Sequence, residues 1–155
     1  MPARGQAPAI SLGNSRGARF APTGTMANDA LRARILALHE RSFELACGVI
    51  GAYPKGPYLD DPTRIVWRQL VRAATSSTFN LEEADAASSD ADFLAKMRIA
   101  LRETREATKA IRIIVRCKLG GYQAVGRYED ESRQMAAIFG KIIVNKKAGM
   151  ARRTS

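Results

Sequence analysis

The chain has 155 residues and carries 25 Lys and Arg against 15 Asp and Glu, a net charge of +10. That length suits one domain with a proper hydrophobic core, and aromatics at 6% with abundant Ala, Leu, Ile and Arg leave a β-rich architecture little to stand on. No apolar run approaches the ~20 residues of a membrane span and the N-terminus lacks the apolar centre of a secretory signal. The sequence therefore predicts a cytoplasmic protein, with no membrane partner, that repels itself and attracts polyanions.

Residues 1–25 hold Gly, Pro, Ala, Ser and Arg with no acid and almost no periodicity, which predicts a disordered basic extension. Two readings stay open for it: an arm that helps grip nucleic acid, or a non-native stretch ahead of a true start at Met26. The bundle domain is expected over 26–148, followed by a frayed basic tail over 149–155.

The first helix, about 29–53 with Asn28 or Asp29 as its cap, carries Leu31, Ile35, Leu38, Leu45 and Val49 at seam spacing. Phe43, Ala46 and Ile50 widen that seam, and Pro54-Lys55-Gly56-Pro57 ends the helix. Asp61-Pro62 restarts the chain as an N-cap followed by proline in the first turn. The second helix, about 62–87, places Val66, Leu70, Ala73, Ser77 and Ala84 inward. Its middle, Ala73 to Thr78, is all small residues and lets a neighbour approach closely. Glu82, Glu83 and Asp85 crowd its C-terminal end, where the helix dipole disfavours negative charge, so a basic group from a neighbouring helix or subunit is expected there.

Ser89, with Asp92 three residues on, resembles a capping box. The third helix, 93–119, has an apolar seam of Phe93, Met97, Ala100, Thr104, Ala107, Ile111 and Ile114. A second series, Arg98, Arg102, Arg105, Lys109, Arg112 and Arg116, lies roughly 140° around the helix and forms a basic ridge about 27 Å long. Asp92, Glu103 and Glu106 fall on the flank between them, and Gly120-Gly121 is the expected C-cap. The fourth helix, about 128–147, opens on Glu129-Asp130-Glu131 and ends in Lys146-Lys147, both favourable to the dipole. Tyr128, Met135, Ile138, Phe139, Ile142 and Ile143 are its inward set. Short loops between four such helices predict an all-α, antiparallel up-down-up-down four-helix bundle.

Gln69 to Ser76, continuing through Asn80-Leu81-Glu82-Glu83-Ala84, is similar to one half of a known motif; Ser88-Ser89 and Asp92 to Glu103 resemble the other half. Glu131 to Phe139 resembles the same family's fourth helix. The family is that of the bacterial four helix bundle proteins, first named for open reading frames in 23S rRNA intervening sequences, and the likeness covers roughly residues 31–148. It implies a left-handed bundle that assembles into a ring-shaped homo-oligomer, typically a pentamer. A relative of this fold, the accessory variability determinant of diversity-generating retroelements, implies RNA or DNA and a reverse transcriptase as partners. The chain departs from the pattern at Ala84, where many members carry glycine.

Catalysis has little support. His39 sits among Leu38, Glu40 and Arg41 as a solvated side chain with no nucleophile to serve, and the Glu-x-x-His pattern of carboxylate-bridged bundles is missing. No enzyme activity, cofactor or metal is expected. Cys47 and Cys117, without partners at metal or redox spacing, are expected to be small buried hydrophobes. Asn80 falls at an inward position and predicts an interhelical hydrogen bond, with Glu83 in the same polar network. The ridge, five of whose six members are Arg, points to phosphate contacts rather than base reading. The alternative is a protein–protein scaffold or accessory factor, with some ridge arginines bridging subunits to the acids that end the second helix.

Overall fold

The computed structural model describes residues 23–56 and 59–154. Residues 1–22 of the predicted extension lie outside them, while residues 23–25 already belong to the first helix. Four long helices, α1 (Thr23–Ala52), α2 (Asp61–Asp85), α3 (Asp90–Arg116) and α5 (Glu129–Thr154), are joined by short connections, the last holding the one-turn α4 (Tyr122–Gly126). No strand occurs among the described residues. Cross-helix pairs run in opposite senses along each neighbouring pair: Ser42 with Thr78, His39 with Glu82, Ser77 with Thr104, Arg72 with Glu106, Arg112 with Glu129 and Thr108 with Ser132. The helices therefore alternate in direction.

Local chemistry sets most of the boundaries. Asp60, rather than the expected Asp61, caps α2: its Oδ1 accepts from the Thr63 amide at 2.8 Å. Hydrogen bonding from Thr63 also holds the Asp60 carboxyl below the usual carboxylate range. Ser89 Oγ accepts from the Asp92 amide at 3.1 Å and starts α3 as expected. The end of α3 departs from expectation. It stops at Arg116, and the left-handed residue that closes it is Lys118 (φ 50°), not a glycine. The Lys118 amide donates to Val115 O at 3.2 Å and the Leu119 amide to Ile114 O at 3.0 Å, the paired bonds of a Schellman cap. Gly121 (φ 81°) instead permits a close approach, since a Cβ there would stand 2.8 Å from both the Ala52 carbonyl oxygen and the Trp67 ring.

Helix α1 begins at Thr23 and runs through the expected cap positions Asn28 and Asp29, because no proline interrupts the sequence between Pro22 and Pro54. At the other end of the chain, α5 continues to Thr154 where a frayed tail is expected from 149. Asp90, in the first turn of α3, pairs with Lys146 at 2.6 Å and with Arg153 at 2.9 Å and so fastens the last turns of α5. Lys146 and Arg153 hold the Asp90 carboxyl below its usual range, so the folded form binds its proton less readily than the unfolded chain. Stability from this clasp is present above the ordinary Asp pKa of about 3.9 and is lost as pH falls through the lower folded value. Amides of 147–154 are therefore expected to lose hydrogen-exchange protection in that acid window before the core does, and Asp90→Asn should show the same loss at neutral pH.

The core has two apolar clusters. One gathers Val49, Trp67, Leu70, Ile111, Ile114 and Val125 near the α4 end; the other gathers Leu81, Leu94, Met97, Met135, Phe139 and Ile143. Between them lies a belt of hydroxyls that ties all four long helices together. Ser42 meets Thr78 at 3.0 Å, Ser77 meets Thr104 at 2.6 Å and Thr108 meets Ser132 at 2.5 Å. Ser42, Ser77, Thr104 and Ser132 are buried, so a slip along any helix would leave polar atoms unpaired and is disfavoured. This belt takes the register-setting role expected of Asn80. Asn80 instead donates within its own helix, to Ser76 O at 2.9 Å, and Glu83 pairs separately with Lys96 of α3.

Three further expectations change. Phe43 and Ile50 are about half exposed, since the buried face of α1 is the narrower Ser42, Leu45, Ala46, Val49, Ala52 line. Cys47 and Cys117 are exposed free thiols, Cys47 on the outer side of α1 and Cys117 as the capping residue that ends α3. Trp67, which the inward set for the second helix omits, is completely buried and donates its indole N–H to Gly120 O at 2.7 Å.

Candidate nucleic-acid interface

Helix α3 buries Met97, Ala100, Thr104, Ala107, Ile111 and Ile114 and half-buries Phe93, as its seam predicts. Burying that line turns the ridge outward, and Arg98, Arg102, Arg105, Lys109, Arg112 and Arg116 lie on the outer side of the helix, all six exposed. Two of the six have a carboxylate partner: Arg102 with Glu103 at 2.9 Å and Arg112 with Glu129 at 3.5 Å. Arg98, Arg105, Lys109 and Arg116 form no ion pair among the described residues.

Two of the flanking acids, Glu103 and Glu106, engage α2. Arg72 of α2 reaches Glu106 at 2.5 Å and Glu103 at 3.3 Å, and these two carboxylates hold its guanidinium further above neutral pH than usual. Glu106 is thus turned toward α2, while Glu103, shared between Arg102 and Arg72, offsets the ridge only in part. Glu103 itself is buried to 2% exposure on a helix whose other charged members are not, which the sequence does not anticipate. Its Oε1 accepts from Arg102, while Oε2 lies near Arg72 without accepting a hydrogen bond. A buried carboxylate between two guanidiniums fixes both of them at the surface. Glu103→Gln is expected to destabilise the bundle by about 1–3 kcal/mol, because it removes the charge that both arginines face, and urea denaturation measures it.

Near the end of α3 the ridge borders a hollow of about 440 Å³ between Lys109, Arg112, Arg116 and Glu129, with Ile113 and Val115 as its apolar lining. A second, larger cleft of about 520 Å³ lies elsewhere, under the middle of α1, walled by Leu38, Leu81, Phe93, Met97, Ile138 and Ile142. Two of the acids that end α2 are satisfied within the subunit. Glu82 accepts from His39 Nδ1 at 2.8 Å and Glu83 pairs with Lys96, so neither needs a ridge arginine. His39 is accordingly half-buried and paired, not the solvated side chain expected. No cluster of three or more His, Cys, Asp or Glu that could hold a metal occurs among the described residues. No helix among them is long and apolar enough to cross a membrane.

Together these features define an all-helical bundle protein with one outward, largely unpaired cationic helix face. The chain belongs to the 23S rRNA-intervening sequence protein family, whose model matches residues 36–141. It is similar to a protein of unknown function from the S23 ribosomal protein family of Bacteroides thetaiotaomicron, with 25% identity and a TM-score of 0.58 over 70% of this chain and 96% of that one. No curated protein matches the chain.

Proposed function

We propose that this protein is a non-enzymatic, oligomeric bundle that binds RNA or DNA through phosphate contacts from the α3 ridge. The observation that carries this reading is that Arg98, Arg105, Lys109 and Arg116 face outward and unpaired while the acids beside them are engaged by Arg72. Cations left in that state gain by displacing condensed counterions from a polyanion. The family carries the name of 23S rRNA intervening sequences and the Bacteroides protein that of a ribosomal protein family, and these names support RNA as the polyanion to test first. Titration of labelled single- and double-stranded oligonucleotides at two salt concentrations tests the reading. Binding at low salt that weakens steeply with added salt supports it; absence of binding at low salt, or indifference to salt, overturns it.

The second reading is a scaffold or accessory factor for a protein such as a reverse transcriptase. Leu36, Phe43 and Ile50 recur every seventh residue on the outer side of α1, and Phe79 is exposed on α2. Such a stripe fits a helix-on-helix contact. A ring of identical subunits, five in number by family likeness, uses the same surface. Light scattering is expected to give a mass several times the 16.9 kDa of one chain, and a monomer would remove the ring.

A further inference from the structure

The ridge has a neighbour whose surface the proposed function leaves unused. Arg112 stands opposite Glu129, Thr108 opposite Ser132, and the Phe93 ring opposite Lys146, which sets an antiparallel register between α3 and α5. Carried along the helices, that register places Arg105 across from Ala136, Arg102 close to Gly140, and the first turns of α3 beside Lys147. Glu129, Ala136, Gly140 and Lys147 follow one another at helical spacing along the α3-facing flank of α5. Gly140 is the telling position. A mid-helix glycine is costly relative to alanine, yet a Cβ built there meets nothing within 4 Å, so no packing in the subunit requires its absence. Gly48 shows the contrast, since the Tyr128 ring occupies the place of its Cβ.

Resting on the phosphate-binding reading, the geometry points to a track between α3 and α5 that holds one single strand of nucleic acid. The ridge is the wall, Ala136 and Gly140 on the facing flank of α5 are the floor, Lys147 continues that same flank, and the hollow beside Arg112 and Arg116 is one end. The ridge is straight and about 27 Å long. A duplex completes a turn in about 34 Å, so each of its strands winds away from a straight row after a few phosphates. A single strand has no such constraint and can follow all six cations through its backbone. A small-residue floor admits the sugar-phosphate chain beside the ridge, where a branched side chain would lift it off.

The test uses the full-length protein with fluorescent oligo(dT) and a mixed-sequence duplex of equal length. Single-strand affinity about tenfold above that for the duplex is expected. Gly140→Leu should weaken oligo(dT) binding about fivefold without lowering the melting temperature, and Lys147→Glu should weaken it by a similar factor. Equal or tighter duplex binding overturns the track. So do Gly140→Leu and Lys147→Glu proteins that bind oligo(dT) like the wild type while reversal of Arg105 and Lys109 abolishes binding; the phosphate reading then stands alone. A wild-type protein that binds neither oligonucleotide removes both.

Discussion

Arg105→Glu combined with Lys109→Glu is expected to lower nucleic-acid affinity about 100-fold at low salt and to flatten the salt dependence by about two phosphate contacts. These two positions are the right ones to reverse because both face outward without an ion-pair partner, so the substitutions break no salt bridge within the subunit. Arg102 is a poorer choice, although it sits on the same ridge. It bonds to buried Glu103, and a second carboxylate beside that one would confound lost binding with lost stability. The control is Arg64→Glu. Arg64 lies on the outer side of α2, bonded to Leu59 O and Asp61, and is expected to leave affinity within about twofold of wild type. Equal losses from the control and the ridge variant would show a response to net charge, with no localised interface. Fluorescence anisotropy across a salt series reads both the affinity and the slope.

Trp67→Ala is expected to destabilise the bundle by about 3–5 kcal/mol, a large share of what holds a domain of this size together. Trp67 has no exposed surface, packs edge-on against Tyr53 with ring centroids 5.4 Å apart, and donates to Gly120 O at 2.7 Å. Removing it opens a cavity in the first apolar cluster and strips a carbonyl of its donor in the same step. The indole also holds the α3–α4 connection against the end of α1, because Gly121 approaches both Trp67 and the Ala52 carbonyl. Gly121→Ala therefore tests the same junction from the other side, combining a positive φ with a clash, and should cost about 1–3 kcal/mol. Chemical denaturation with a far-ultraviolet readout measures both. Trp67→Phe should recover part of the packing and none of the hydrogen bond.

Much of this was legible along the chain. The α3 seam and its opposing ridge emerge from periodicity alone, since side chains three and four apart must share a face whatever surrounds the helix. The Ser89 cap is similarly local, a hydroxyl within reach of an amide three residues on. Trp67 could have been found too: it lies four residues after buried Thr63 and three before buried Leu70, in the inward line itself. The small polar run from Thr75 to Thr78 was visible as a site of close approach, but half of each hydroxyl pair lies on another helix, so the belt was not. Phe43 and Ile50 misled because hydrophobic character says that a residue is apolar, not that a neighbour is there to cover it.

The order of residues by itself determined four amphipathic helices, their directions through short loops, and the sign and length of the basic ridge, because each follows from spacing within one element. Only the packed structure decided which charges remain available. Arg72 crosses from α2 to engage Glu106 and Glu103, His39 and Lys96 answer Glu82 and Glu83 at the end of α2, and Asp90 recruits Lys146 and Arg153 to hold the end of α5 in place. A charge is neutralised by whatever stands within a few ångströms in space, and that distance is set by how helices lie against one another, not by their separation along the chain.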